Sequence, residues 1–541
     1  MVSEAKRGLI RIVANYTRVI SNVALGLLLV PMLLQAAGND GWALIALLGS
    51  TIGLAAMAQD IVRSSLIREL GAAYHGGGGS TGSDHFQSVY NAGVIISAVI
   101  AGLAVVIFGV LWLAVPLLQI SDNLLPAARW LVLARGAETI VLLLLAAPFN
   151  MYKVTERMVA FNAWLIATRS CYVITVAWLL LVHGPGAPGQ IITYYALISS
   201  ALVVTVLTMA VALMMFLDRR LIPAPSLATR SAIKSVLQVG GWNASATTAT
   251  MSHRRLAPLL MNLTWAIMNL PSGLFGNLII GLSLQITASV RRLTTGMTEG
   301  LDAVATRLSM TADASAIRTL MHHSTRLHGV AAFPLAIIIL LVPEILLRLW
   351  LGGRIDDPQR ALPLAITLIQ IMTLGMVARA VSDGWIRILY GAGHVRRYAW
   401  MIIAGAVTYP LVVGLLLVIL PAASRYTAVT WAYTAVLLIV HGLLVPLAGA
   451  RALRIRYAEF FVPLVRPLIV AVVCSPILLL AHGRQGQSEL LWLIAAVAMY
   501  GLTYLGLCVA FVMNQLERRR FTKAALRRLP FRRPGKTNDM H

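Results

Sequence analysis

The sequence predicts an all-α polytopic membrane protein with about 14 transmembrane helices, arranged as two six-helix lobes plus a C-terminal helix pair. Of its 541 residues, 59 % are hydrophobic and only 12 % are charged, whereas ordinary soluble domains carry about 25 % charged residues. The apolar residues are also grouped into segments long enough to cross a bilayer. This composition excludes a soluble globular domain, and the formal net charge of +24 must lie in loops or in a polar interior.

Fourteen apolar segments emerge from a window of about 19 residues with breaks at Gly, Pro and charged residues. They lie near residues 9–34, 41–62, 88–115, 125–149, 159–182, 190–216, 235–262, 270–292, 327–350, 361–384, 398–420, 427–449, 463–482 and 490–514. The seventh is interrupted by His253, Arg254 and Arg255. The connections are short, so no extramembrane segment is long enough to hold a catalytic domain.

Basic residues are distributed unequally between the two ends of these segments. Loops after even-numbered segments and the C-terminal tail are rich in Arg and Lys, whereas loops after odd-numbered segments contain only Arg354, Arg360, Arg425 and Arg484. Since loops rich in basic residues remain in the cytoplasm, both termini are predicted to be cytoplasmic. The tail directly follows a transmembrane segment, so it is predicted to contact anionic membrane lipids rather than nucleic acid.

The grouping of the segments predicts the domain organisation. The longest link between segments, residues 218–234, follows six of them, and a basic break at 451–456 follows six more. We therefore predict an N-terminal six-helix lobe (1–220), a C-terminal six-helix lobe (221–456), helices 13 and 14 (457–515) and a basic cytoplasmic tail (516–541). Transporters built from two such halves place their site near the bilayer midplane, between the halves.

The first segment carries a polar stripe. Arg11, Asn15, Arg18 and Asn22 are spaced four, three and four residues apart, which places them on one face of a helix. Lipid penalises charge, so this face is predicted to line a protein interior or an aqueous cavity. Arg11 is expected to reach the cytoplasmic interface. For Arg18 and the two asparagines we predict substrate binding, the alternative for Asn15 and Asn22 being hydrogen bonds to neighbouring helices.

Four arginines inside the segments have no carboxylate within sequence reach: Arg18, Arg169, Arg254 and Arg255. Such a surplus is explained if the counter-charge arrives with the substrate, and the planar guanidinium suits phosphate. The predicted ligand is an anion with a large apolar part, such as a phosphorylated or pyrophosphorylated lipid. The alternative is that these arginines bond helix-end carbonyls or carboxylates of distant helices, Asp60 among them.

Other intramembrane charges have partners nearby in sequence. Three pairs lie three or four residues apart: Arg135 with Glu138, Glu344 with Arg348, and Arg379 with Asp383. The two charges of each pair could neutralise each other within one helix, or the pair could have a functional role. Asp60, Glu138 and Asp383 are our candidates for ion coupling, and Arg291 and Arg292 are predicted to mark the cytoplasmic mouth.

Enzyme signatures are weak in this sequence. It lacks HExxH and an acidic DxD-type cluster, and the Gly-Lys-Thr at 535–537 lacks the first glycine of a P-loop. The one GxSxG match, at 78–82, falls in a glycine- and serine-rich run that is typical of a flexible linker. Cys171, Cys474 and Cys508 lie far apart in apolar runs, so we interpret them as small hydrophobic residues without disulfide or metal. We predict that the protein is not an enzyme and needs no cofactor.

Four short motifs occur in a characteristic order. The first segment has an Arg/Asn stripe and a Pro-Xaa-Leu end at Pro31, and the second closes on a small-residue, acidic and Arg-Glu run at 60–69. Leu-Trp-Leu-Gly follows the ninth segment at 349–352, and Tyr-Gly-Ala-Gly-His-Val-Arg-Arg follows the tenth at 390–397. With fourteen segments, this order resembles the polysaccharide-transport, O-antigen-flippase-like branch of the multidrug/oligosaccharidyl-lipid/polysaccharide (MOP) exporter superfamily.

The resemblance implies a MOP/MATE-like, two-lobed bundle around a cationic cavity that alternates between cytosol and periplasm of a bacterial inner membrane. It implies a flippase for undecaprenyl-pyrophosphate-linked oligosaccharide in exopolysaccharide or O-antigen biosynthesis, with proton or sodium coupling in some relatives. A polysaccharide polymerase or export complex is the implied protein partner. The alternatives are a cation-coupled multidrug exporter of the same fold, a membrane enzyme acting on lipid-linked sugars, and a lipid scramblase or scaffold.

Overall fold

The computed structural model describes residues 4–76, 80–118, 120–268, 273–296, 298, 301–310, 314–481, 488–515 and 518, and within these ranges the chain is helical without strands. The tail predicted over 516–541 therefore lies almost entirely outside the described residues, as do the side chains of Arg11 and Asp60.

The longest element, α1 (Glu4–Gly76), contains two transmembrane arms. Its 73 residues include Gly38, whose φ of 67° and ψ of −172° break the helical geometry. An unbroken helix of this length would extend about 110 Å, far more than the thickness of a bilayer. The break separates a first arm (4–37) from a second arm (39–76), and both arms line one cavity.

The remaining helices of the first half surround α1. They are α2 (Ser80–Ala114), α3 (Leu125–Leu144), α4 (Ala146–Val154), α5 (Met158–Val182) and α6 (Pro188–Leu217). The axes of α3 and α4 differ by 54° across Leu145, so the chain bends sharply between these two helices. Two short 3₁₀ turns, Arg219–Leu221 and Pro225–Leu227, connect α6 to the second half.

The second half is built around α12, which packs against α8, α10 and α14. Its helices are α7 (Arg230–Ile267), α8 (Gly273–Thr295), α9 (Leu301–Met310), α10 (Ala314–Leu341), α11 (Pro343–Leu351), α12 (Pro358–Gly391), α13 (Val395–Ile419), α14 (Ala428–Leu437) and α15 (Val445–Leu453). A π-helical segment, Leu438–Leu444, joins α14 to α15. Across the molecule, α1 packs against α5 of the first half and against α7 and α8 of the second.

The C-terminal pair consists of α16 (Val462–Cys474), extended by the 3₁₀ segment Ser475–Ala481, and α17 (Glu489–Leu507), extended by the π segment Cys508–Val512. This pair shares its own buried hydrophobic cluster with α10 and α11, which includes Phe333, Val342, Tyr500 and Tyr504. The cluster attaches the pair to the outside of the second half.

The described helices confirm an all-α polytopic membrane protein. Eleven are long and apolar enough to cross a membrane, or twelve if α3 and α4 count as one span. That number treats the two arms of α1 as one helix and omits the polar α7. With the arms separated at Gly38 and α7 included, the number of helices is roughly consistent with the predicted fourteen segments.

Candidate functional site

A polar cavity of about 620 Å³ lies between both arms of α1 and helices α5, α7 and α8. Five arginines line it: Arg18, Arg169, Arg254, Arg255 and Arg292. No Asp or Glu lines it in the part of the chain that the structure describes. We call this space the arginine cavity. Its lining is strongly cationic and suited to an anionic ligand.

The four arginines selected from the sequence meet in this cavity, although they come from three different helices. Arg18 belongs to the first arm of α1, Arg169 to α5, and Arg254 and Arg255 to α7. Asn22, one turn after Arg18, also lines the cavity. The structure thus brings these residues together, while their role in substrate binding stays a prediction.

Asn15 is placed elsewhere. Its side chain is buried, and its Oδ1 accepts a 2.8 Å hydrogen bond from Nδ2 of Asn162 on α5. Asn15 is not among the residues that line the arginine cavity. The geometry corresponds to the alternative considered for this residue, a polar bond between two transmembrane helices.

Arg292 is the lining arginine that the sequence analysis assigned to the cytoplasmic mouth. Successive residues of a helix point about 100° apart, and here Arg292 lines the cavity while the Arg291 guanidinium lies 2.7 Å from Asp383. Gln285, seven residues before Arg292, lines the cavity too. This seven-residue spacing on α8 was the signal in the sequence that could have identified Arg292.

Glycines allow the arginines to lie against α1. Nη1 of Arg255 donates to the backbone oxygen of Gly49 at 3.3 Å. A Cβ atom built on Gly53, one turn further along, would collide with the guanidinium of Arg255. On the first arm, a Cβ on Gly26 would lie 2.6 Å from Nε2 of Gln285. Small residues at these positions therefore preserve the space that the polar side chains occupy.

A smaller cavity of about 290 Å³ adjoins the arginine cavity and shares Asn22, Arg169 and Tyr172 with it. Its one acidic lining residue among those described is Glu138. The Glu138 carboxylate is 2.7 Å from Nη1 of Arg135 and accepts hydrogen bonds from the Tyr172 hydroxyl at 2.6 Å and Oγ of Ser200 at 2.8 Å. The predicted Arg135–Glu138 pair is present, and it forms part of a cavity wall.

Asp383 lies in a different environment. Its carboxylate is buried between two arginines, with Arg291 at 2.7 Å and Arg379 at 2.8 Å. It lines none of the cavities described above. Of the three candidates for ion coupling, Glu138 borders a cavity, Asp383 belongs to a buried ionic triad, and the side chain of Asp60 is outside the described residues.

The described residues contain no group of three or more His, Cys, Asp or Glu arranged to hold a metal ion. Cys171, Cys474 and Cys508 are buried free thiols.

No protein-family profile and no curated protein sequence matches the chain. Among solved structures, it resembles an inward-facing multidrug resistance MATE family transporter of the MOP superfamily, with 12 % identity and a TM-score of 0.64, over 82 % of this chain and 98 % of that one. It also resembles the lipid II flippase MurJ in an inward closed conformation, with 11 % identity and a TM-score of 0.59, over 93 % of this chain and 100 % of that one. The MATE multidrug transporter DinF-BH, solved as a complex, is similar with 13 % identity and a TM-score of 0.61, over 83 % of this chain and 96 % of that one. At these identities the likeness concerns the fold, and the chain has the fold that these MATE and MurJ transporters share.

Proposed function

We propose that the protein is a membrane transporter that moves undecaprenyl-pyrophosphate-linked oligosaccharide from the cytoplasmic to the periplasmic leaflet by alternating access. The observation that carries this proposal is the arginine cavity, which gathers five guanidinium groups and no carboxylate among the described lining residues. In this proposal both termini are cytoplasmic, the membrane is the bacterial inner membrane, and a polysaccharide polymerase or export complex receives the flipped product.

Electrostatics favours a pyrophosphate over a neutral ligand. Arg254 has Arg255, Arg291 and Arg292 as charged neighbours, so the free cavity stores like-charge repulsion that an anion would relieve. Guanidinium groups bind phosphate through parallel hydrogen bonds, and several of them can share the oxygens of two linked phosphates. The polyprenyl tail would remain in lipid while the polar headgroup occupies the cavity.

Glu138 is the strongest of the three candidates for ion coupling. It borders the smaller cavity, whose wall is shared with the arginine cavity through Arg169 and Tyr172. Binding of a proton or sodium ion at this carboxylate would weaken its ion pair with Arg135 and the hydrogen bond that it accepts from Tyr172. The charge in the smaller cavity would thereby influence the side chains that face the substrate.

A cation-coupled multidrug exporter is the second candidate, because two of the similar solved structures are multidrug transporters. The cationic lining opposes this function for cationic drugs, since five arginines would repel them. A resistance assay with cationic dyes separates the candidates: protection of cells by this protein would favour the exporter.

Reconstituted liposomes provide the direct test. The vesicles would contain a polyprenyl-pyrophosphate oligosaccharide with a labelled sugar, and an added enzyme would report the label that reaches the outer leaflet. We expect protein-dependent movement in wild type, loss in Arg18→Gln, and retention in Arg219→Gln, which changes an exposed arginine outside the cavity. No movement by correctly folded protein under proton, sodium or zero gradient would reject the flippase function.

A further inference from the structure

The turn between α12 and α13 forms a basic pocket on the protein surface, separate from the arginine cavity. The pocket has a volume of about 490 Å³ and is lined by Gly393, His394, Arg396, Arg397 and Trp400. None of these residues lines the arginine cavity. We infer that this turn binds the phosphate-bearing headgroup of an anionic diacyl phospholipid.

The backbone holds the turn in a defined shape. Gly393 has a φ of 81°, a left-handed conformation that suits glycine at the end of a helix. Its N–H donates to the carbonyl of Tyr390 at 3.0 Å, and the His394 N–H donates to the carbonyl of Leu389 at 2.9 Å. The neighbouring helix α9 supports the turn, since Oγ1 of Thr306 donates to the Gly391 carbonyl at 3.0 Å. The pocket is therefore built before a ligand arrives.

Its charge is positive and is not neutralised by lining carboxylates in the described part of the chain. The nearby acid on α9, Asp302, lies 4.0 Å from Arg387 instead. Burial and the neighbouring Arg397 hold the pKa of His394 below its usual value, so at neutral pH the imidazole is an uncharged hydrogen-bonding group. Arg396 and Arg397 thus supply the charge for an anionic group.

The position and the aromatic neighbours favour a lipid. The apolar span of α13 begins at Val395, so the arginines stand at the membrane boundary. Trp400 is 54 % exposed and Trp242 of α7 is 46 % exposed, and the guanidinium of Arg396 lies 5.8 Å from the centre of the Trp242 ring. Tryptophan beside arginine is typical of the headgroup level of a membrane, where the ring contacts acyl chains and the cation contacts phosphate.

The experiment compares lipid binding by the full-length protein and two double variants. Native mass spectrometry would count retained phosphatidylglycerol and phosphatidylcholine on wild type, on Arg396→Gln/Arg397→Gln, and on Arg219→Gln/Arg451→Gln. The last variant removes the same charge from two exposed arginines outside the pocket. We expect apparent phosphatidylglycerol affinity to fall on the order of tenfold in the pocket variant and to stay unchanged in the control. Equal binding by all three proteins would overturn the proposal.

A second measurement needs only wild-type protein. Hydrogen–deuterium exchange of the peptide covering residues 391–400 should slow when phosphatidylglycerol is added and should not change with phosphatidylcholine. Glycerophosphoglycerol and inorganic phosphate are the soluble probes of the same phosphate chemistry. If they protect this peptide as well as the lipid does, the pocket binds a soluble anion and the lipid assignment is wrong. Lack of protection by phosphatidylglycerol would likewise reject it.

Discussion

The indole Nε1 of Trp350 donates a 2.7 Å hydrogen bond to the backbone carbonyl of Leu27. In a regular helix this carbonyl would accept from the residue four positions later, but that residue is Pro31, which has no N–H. Trp350 therefore satisfies a carbonyl that α1 leaves without its usual donor, and an unsatisfied carbonyl in the membrane costs several kcal/mol. The bond also connects α1 of the first half to α11 of the second.

We expect Trp350→Phe to weaken the contact between the halves, because it keeps an aromatic ring and removes the donor. The protein should lose about 1–3 kcal/mol of unfolding free energy. In the orientation proposed above, a cysteine introduced by Ala46→Cys, on the cavity wall, should react faster with an impermeant maleimide added from the periplasmic side. Trp431→Phe, which changes a tryptophan 44 % exposed on α14, is the control.

The hydrogen bond from Trp350 to Leu27 also predicts that a second substitution, at Pro31, compensates for the loss of the tryptophan. Pro31→Ala restores an N–H that can bond Leu27, so Trp350→Phe should cost less stability in that background than in wild type. A double-mutant cycle of unfolding free energies measures this difference. Strict additivity of the two substitutions would show that the proline and the tryptophan act independently.

Arg291 and Arg292 should respond in opposite ways to replacement by glutamine. Arg292→Gln should abolish transport and leave stability equal to or above wild type, because it removes one of five like charges around the cavity. Arg291→Gln should destabilise the protein by about 1–3 kcal/mol, because it removes one of the two arginine partners of the buried Asp383 carboxylate. Unfolding and liposome transport are measured for both variants. Equal destabilisation by the two would contradict a functional role for Arg292.

Glu138→Gln tests ion coupling. The amide keeps the size of the side chain, and its single oxygen can still accept from either Tyr172 or Ser200, which bond different oxygens of Glu138, but it removes the charge that pairs with Arg135. We expect substrate movement to lose its acceleration by an imposed proton or sodium gradient while downhill movement continues. Glu344→Gln, in an exposed pair with Arg348, should leave the gradient response intact. A normal gradient response in Glu138→Gln would remove this carboxylate from the coupling mechanism.

Packing in the second half depends on Gly375. A Cβ atom there would lie 2.8 Å from Cα of Thr434 on α14, and a backbone atom cannot move aside as a flexible side chain could. Gly375→Ala should therefore cost about 1–3 kcal/mol of unfolding free energy. Gly414→Ala on α13 meets no atom within 4 Å and should be neutral or stabilising by about 1 kcal/mol, since alanine favours the helix. Thermal unfolding of the two variants would reveal the difference, and equal midpoints would contradict it.

The candidate site shows how far sequence reasoning reaches. Arg18, Arg169, Arg254 and Arg255 could be singled out because each is an intramembrane charge without a carboxylate in sequence reach. Asn15 shared the stripe of Arg18, yet the facing residue on α5 is Asn162, and the two side chains bond each other. Arg292 was not among the arginines singled out, because its sequence neighbour Arg291 has a carboxylate partner on another helix, and the sequence alone did not separate the surroundings of the two.

By itself, the sequence determined the fourteen apolar segments, the unequal distribution of basic loops and the surplus of intramembrane arginines. These are properties of individual segments, because bilayer thickness and the cost of charge in lipid act on each segment separately. Only the tertiary structure decided which arginines meet around one cavity and that Arg291 and Arg292 lie in different surroundings. It also decided that Trp350 donates a hydrogen bond to the backbone carbonyl of Leu27. Those outcomes depend on the rotation and packing of helices far apart in the chain, which local composition does not specify.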